Sequence, residues 1–211
     1  TDAELEDVPY YRPAQDSPEM IYMSEQRAQL GGPIPRRIVD KTKLKVPGLD
    51  KFKAQLEGSG ERSISTTMSF VRILATLVRD KEIGKQVVPI IPDEARTFGM
   101  EGMFKQLGIY SSVGQLSVPE DADEISAYRE STDGQVMEAG INEAGAMAAW
   151  VSAATSASTH NYTLVPFYIY YSMFGFQRVG DLAWAAGDLQ ARGFLMGGTA
   201  GRTTLNGEGL Q

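Results

Sequence analysis

The run Leu164-Val165-Pro166-Phe167-Tyr168-Ile169-Tyr170-Tyr171 is the strongest strand signal in the chain, being apolar, aromatic and β-branched throughout. A strand without polar alternation is buried on both faces, so its sheet must be covered on both sides. It is too short for a membrane span and belongs in a core. Gln86-Val87-Val88-Pro89-Ile90-Ile91-Pro92 is a second run of this kind, and Val136-Met137-Glu138 and Phe194-Leu195-Met196 give shorter ones. Helical patterns lie between them. Ser63 to Thr67 supplies caps ahead of Met68, Val71, Ile73, Leu74, Leu77 and Val78, and further helices are predicted from Phe98 to Leu107, from Glu143 onward and from Phe174 to Ala191. Residues from Ile109 to Asp133 read as loop. The alternation predicts an α/β fold, a parallel β-sheet flanked by helices on both faces, with ligands beyond the carboxyl ends of the strands. Those ends are Asp93-Glu94, Ser172 to Phe174, and Gly197-Gly198.

Ahead of this pattern, residues 1–60 are polar and rich in Pro and Gly, with basic clusters at Arg36-Arg37 and Lys41 to Lys45. Their apolar residues are too scattered for a core, so they read as an arm with short helices near Met20 to Leu30 and Leu49 to Glu57. Residues 61–211 form the α/β domain. A formal net charge of -7 argues against a nucleic-acid surface, and the acidic start Thr1 to Asp7 is unlike a signal peptide. With no cysteine, the chain has no disulfide, thiolate nucleophile or cysteine-ligated metal, as suits a reducing, cytoplasmic setting. No membrane partner is expected.

Glu143 opens a helical run, Glu143-Ala144-Gly145-Ala146-Met147-Ala148-Ala149-Trp150-Val151, that carries no further charge and reads as buried on most faces. A carboxylate in such a place neutralises or finds a partner, which makes Glu143 a candidate for holding or sharing a proton. From the residues alone, a Glu held by backbone N–H groups at a helix N-terminus stands ahead of that chemical reading. Asp93-Glu94-Ala95-Arg96 with Tyr170, Tyr171 and Phe174 is either a structural ion-pair group beside core aromatics or part of a site. His160, the only histidine, sits in a polar link between helix and strand and reads as solvated. Met196-Gly197-Gly198-Thr199-Ala200-Gly201-Arg202-Thr203 is not a nucleotide loop, because Met196 stands where the first Gly belongs and Arg202 replaces the Lys. Carboxylates nowhere cluster at metal-ligand spacing, so no metal site is predicted.

Four stretches carry a family resemblance: Pro92-Asp93-Glu94-Ala95-Arg96-Thr97-Phe98-Gly99-Met100-Glu101-Gly102, Gly140-Ile141-Asn142-Glu143, Pro166 through Arg178, and Gly201 through Gln211. Together they closely resemble the bacterial homodimeric pyruvate dehydrogenases, the decarboxylating first component of a multienzyme complex that follows glycolysis. The likeness runs over nearly the whole chain and is highly specific. It implies the middle, pyrimidine-binding domain of a thiamine-diphosphate enzyme, preceded by part of a linker.

The resemblance implies that Glu143 hydrogen-bonds a ring nitrogen of the cofactor's aminopyrimidine and promotes loss of the thiazolium proton. Phe174 would pack on that ring, and Tyr171 and Glu94 would face the thiazolium and the substrate. Asp93 and Arg178 would support this network, with Glu208 nearby. Pyruvate would lose carbon dioxide and its acetyl group would pass to the lipoyl group of the acyltransferase component. The family's Gly-Asp-Gly motif for Mg²⁺ and diphosphate is absent from this sequence, so those ligands would lie outside the chain. A second subunit would complete the site, and the isolated chain is expected to be inactive. The alternatives are a related thiamine-diphosphate enzyme, transketolase or 2-oxoglutarate dehydrogenase, and a non-catalytic dimerisation module.

Overall fold

A computed structural model describes residues 2–6, 10–32, 42–92, 95, 98–118, 120 and 128–198. The chain divides into two compact units, Thr1–Ile38 and Val39–Gln211. The first holds helices α1 (Asp2–Glu6) and α2 (Pro18–Gln29). Helix α2 starts where Ser17 accepts the Met20 N–H and Pro18 takes the first turn, where its missing N–H has no intrahelical partner to lose. No residue of α2 is buried. The helix expected near Met20 to Leu30 is therefore present without a core of its own.

The second unit begins with a segment lying on its own helices. Leu44 packs on the core and Lys45 pairs with Glu82 at 3.3 Å. A 3₁₀ turn at Leu49–Phe52 leads into α3 (Lys53–Leu56), where one short helix was expected. Helix α4 (Thr66–Val78) is capped by Ser65, whose hydroxyl accepts the Met68 N–H at 3.1 Å. Then come β1 (Val87–Ile91), α5 (Glu101–Leu107), β2 (Ile109–Tyr110), β3 (Glu130–Ser131), β4 (Met137–Glu138), α6 (Glu143–Ala154), α7 (Ser156–His160), β5 (Val165–Tyr171), α8 (Gly175–Asp188) and β6 (Phe194–Gly198). Among the described residues no helix is long and apolar enough to cross a membrane.

Strands β4-β1-β5-β6 form a parallel sheet, and a bridge between Ile109 and Val136 brings the parallel β2-β3 pair beside β4. Alternation along β1 and β5 sorts their side chains into two cores. Val87, Ile91, Phe167 and Ile169 pack with Leu74 of α4 and Phe104 of α5, while Ile90, Tyr168 and Tyr170 pack with Met147 and Trp150 of α6 and Val179 of α8. This is the expected α/β arrangement, a parallel sheet flanked by helices on both faces.

Four local expectations change. The helix predicted from Phe98 starts at Glu101, because Gly99 has a φ of 70° that no helix accepts. The stretch from Ile109 to Asp133, read as loop, contributes β2 and β3. His160 ends α7, stopped by Asn161 in the left-handed region, instead of lying in a link. Helix α6 is not buried on most faces: its sheet-facing residues are buried, but Ala144, Ala148 and Ser152 form an exposed line. Small uncharged side chains made that outer face indistinguishable from core in the sequence.

Candidate functional site

The site is assembled where β1 and β5 end. Their registers bring Ile91 beside Glu138 and Ile90 beside Tyr168, and the N–H of Ala139 continues the ladder to the Ile91 carbonyl at 2.9 Å. The chain then turns at Gly140, whose φ is 68°, and Asn142 caps α6 by accepting the Gly145 N–H at 2.9 Å. Glu143 is thereby fixed as the first residue of α6, above the aromatic end of β5.

From Tyr171 a 3₁₀ turn at Ser172–Phe174 swings the chain into α8. Gly175 allows this sharp entry, since a Cβ there would run into the Tyr170 ring. Phe174 and Arg178 stand four residues apart, close to one helical turn, and the Arg178 guanidinium lies 4.1 Å over the Phe174 ring. From there Arg178 Nη1 donates to Glu143 Oε1 at 2.5 Å. The Glu143 side chain is 11% exposed and that of Arg178 is 45% exposed, so the pair joins an almost buried carboxylate to a guanidinium half in solvent. A buried carboxylate calls for a charged or hydrogen-bonding partner, and Arg178 supplies it.

Aromatic rings form the rest. Tyr171 meets Phe174 edge to face at 6.1 Å and tilts against Phe98 at 5.0 Å. The fully buried Tyr168 directs its hydroxyl at the Glu143 carbonyl oxygen, 3.5 Å away. Burial, and then the nearby Glu143 carboxylate, push the Tyr168 phenol far above the ordinary tyrosine range, and burial raises that of Tyr170. Pro92, Ile141, Glu143, Tyr170, Tyr171, Phe174 and Arg178 line a cavity of about 140 Å³. A cavity of about 150 Å³ accommodates a benzene-sized ring. A larger cavity of about 590 Å³, at the opposite ends of β5 and β6, has Lys43 and Arg192 on its walls but no carboxylate.

Of the residues singled out in the sequence, Glu143, Tyr171, Phe174 and Arg178 come together around the smaller cavity. Asp93, Glu94 and Glu208 lie outside the described residues. His160 is exposed and is not among the lining residues. No group of three or more His, Cys, Asp or Glu among the described residues could hold a metal ion. Sequence reasoning left Tyr170 open between core aromatic and site, and gave Ile141 and Pro92 no role in the site. Alternation along β5 places Tyr170 on the α6 side with Tyr168, but nothing in the sequence separates such a tyrosine from core.

A protein family described as the pyruvate dehydrogenase E1 component middle domain matches residues 44–211. The chain is 64% identical over 210 residues to a pyruvate dehydrogenase E1 component of Pseudomonas aeruginosa, covering 100% of this chain and 24% of that protein. It is 55% identical over 212 residues to the protein of that name in Escherichia coli, again covering 100% of this chain and 24% of the relative. With that of Corynebacterium glutamicum the identity is 54% over 203 residues, or 96% of this chain and 22% of the relative. The chain thus spans about a quarter of the length of these relatives. With the family match covering most of its residues, the chain belongs to the pyruvate dehydrogenase E1 component middle-domain family.

Proposed function

We propose that this chain is the aminopyrimidine-binding part of a thiamine-diphosphate-dependent pyruvate dehydrogenase. The observation that carries the proposal is the carboxylate of Glu143, almost buried and held by Arg178 at the mouth of a ring-sized cavity bounded by Phe174 and Tyr171. The residues fit an aminopyrimidine. Such a ring needs an apolar slot, an aromatic face to lie against and a carboxyl group able to share a proton with a ring nitrogen. They do not fit the other end of the cofactor, because the described residues offer no cluster for Mg²⁺. Metal and diphosphate would be held by parts of the enzyme beyond this chain.

Bound thiamine diphosphate supplies a carbon nucleophile for the 2-oxo carbon of pyruvate and an electron sink for its decarboxylation. Glu143 holds and moves a proton at the pyrimidine nitrogen. Arg178 fixes the direction of the Glu143 carboxylate, and Phe174 fixes the plane of the ring. Tyr171 stands beside Phe174, facing the reacting end. Asp93, Glu94 and Glu208 complete the proposed polar surroundings. The full enzyme is a cytoplasmic homodimer in which a second subunit closes the site and the lipoyl-bearing acyltransferase component receives the acetyl group.

In the full-length protein, Glu143→Gln is the test: cofactor remains bound while exchange of the thiazolium proton, followed by NMR, slows. An unchanged exchange rate would sink the assignment. A panel of 2-oxo acids on the same protein separates pyruvate from 2-oxoglutarate and sugar-phosphate substrates. The recurrence of the pyruvate dehydrogenase name among relatives that cover the whole chain supports pyruvate.

A further inference from the structure

We propose that the larger cavity, at the amino ends of β5 and β6, is a second ligand site, one that takes a small carboxylate with an apolar body. It lies at the other end of β5 from Glu143 and does not depend on the reading of that residue. Its volume of about 590 Å³ is within the range of small-molecule sites. Leu44, Ala157, Val165 and Phe194 contribute apolar lining, and the charged residues on its walls are Lys43 and Arg192. Among the described residues no Asp or Glu lines it, and neither cation has an ion-pair partner, although the chain has a formal net charge of -7. Capping the end of α6 does not occupy them either. There the N–H and hydroxyl of Thr155 donate to the Val151 carbonyl, and the main-chain N–H of Arg192 donates to the Ala154 carbonyl at 3.0 Å. Two cations without a carboxylate, beside apolar surface, complement an anion whose remainder is apolar.

The walls are tied to the domain core, so a ligand need not order them. The buried Ser156 hydroxyl accepts the Leu164 N–H at 3.1 Å, joining α7 to the start of β5, and Gln86 Nε2 donates to the Thr163 carbonyl at 2.9 Å. Leu44 packs on the core and anchors the backbone beside Lys43. The half-exposed Phe194 ring is stacked on Phe167 with 4.6 Å between centroids, and the Phe194 carbonyl accepts the Trp150 Nε1 hydrogen bond. A ring fixed in this way offers a flat apolar face. Arginine suits a carboxylate, which it can hold through two parallel N–H donors, and lysine adds a compact charge. Inorganic phosphate would use the cations and leave the apolar lining unmet, which is why the structure favours an amphipathic carboxylate.

The experiment titrates the full-length protein by calorimetry with octanoate, with 1-octanol and with inorganic phosphate, in wild type, Lys43→Gln and Arg192→Gln. Both side chains are exposed, so the substitutions leave the fold intact. Octanoate should bind wild type more tightly than either 1-octanol or inorganic phosphate, each of which keeps only half of the recognised chemistry. Each variant should weaken octanoate binding by about three- to tenfold, as expected for a charge-assisted contact that solvent partly screens. Saturating thiamine diphosphate with Mg²⁺ should leave octanoate affinity unchanged. A wild-type protein that does not bind octanoate overturns the site. Equal affinity for 1-octanol, or tighter binding of inorganic phosphate, overturns the amphipathic carboxylate as its ligand. Unaltered octanoate affinity in both variants overturns the role of Lys43 and Arg192. Displacement of octanoate by thiamine diphosphate places it in the Glu143 cavity, which overturns the second site and leaves the reading of Glu143 standing.

Discussion

Arg178 and Glu143, 35 residues apart in sequence, join the first turns of α8 and α6 through a contact of 2.5 Å between Nη1 and Oε1. The carboxylate is the more buried partner, so the pair is asymmetric: losing Arg178 strands a charge among apolar groups, whereas losing the charge of Glu143 leaves a guanidinium that water can solvate. Arg178→Met should therefore destabilise the protein by about 1–2 kcal/mol, the half-exposed arginine keeping the loss below that of a fully buried pair. Glu143→Gln should cost less. Urea unfolding of the two single variants and the double variant gives the coupling, and a coupling of zero would mean that the pair contributes nothing to stability.

The same asymmetry separates stability from chemistry. Glu143→Gln keeps the size of the side chain and a hydrogen-bond acceptor but cannot exchange a carboxyl proton. In the full-length enzyme it should lower the rate of thiazolium proton exchange by about a hundredfold or more, a range typical of a lost general acid or base. The circular dichroism spectrum should stay that of wild type. A spectrum changed along with the rate would mean that Glu143 acts mainly as a structural residue at the start of α6.

Packing gives a prediction independent of function. A Cβ on Gly193 would lie 2.8 Å from Pro166 Cγ, 2.9 Å from the Pro166 carbonyl oxygen and 3.0 Å from Trp150 Cζ2. The oxygen belongs to β5 and cannot yield without moving the strand, and Trp150 is held by its Nε1 hydrogen bond to the Phe194 carbonyl at 3.1 Å. Gly193→Ala should therefore destabilise by about 1–3 kcal/mol, as overpacking does. Gly180, inside α8 with open space where its Cβ would be, is the control: Ala there should raise stability by about 0.5–1 kcal/mol. Equal effects at both positions in thermal melts would contradict this reading of the packing.

What was legible in the sequence follows from how local each signal is. Strand β5 announces itself through eight adjoining residues, and the Ser65 cap through the hydroxyl that accepts the Met68 N–H. Proline weakly opposed both central strands, yet Pro89 and Pro166 are fully buried in β1 and β5, where apolar burial outweighs a lost ladder bond. The pairing of Arg178 with Glu143 could not be derived from spacing, because it depends on how α6 and α8 lie against one sheet face; only family resemblance placed both near one cofactor. Tyr170 was open in the sequence between core aromatic and part of a site. Alternation puts it on one sheet face with Tyr168, and the adjacent cavity, which Tyr170 lines and the fully buried Tyr168 does not, sets the two apart.

That distinction also governs behaviour in alkali. The Tyr168 phenol lies far above the ordinary tyrosine value, first because of burial, then because the Glu143 carboxylate and Tyr170 disfavour a phenolate, with Arg178 opposing. In the unfolded chain the same group titrates near its usual value of about 10. Because the folded value is the raised one, the contribution of Tyr168 is intact below about pH 10 and falls as pH rises above it, by up to about 1.4 kcal/mol per pH unit. Burial raises Tyr170 in the same sense, so it adds to the loss. Tyr168→Phe should cost about 1 kcal/mol or less at pH 7, since the hydroxyl makes only a 3.5 Å contact. Between pH 10 and 11 the variant should lose roughly 1 kcal/mol less than wild type. Urea midpoints at pH 7, 10 and 11 measure this directly; parallel losses in the two proteins would show that the Tyr168 phenol is not excluded from ionising in the folded chain.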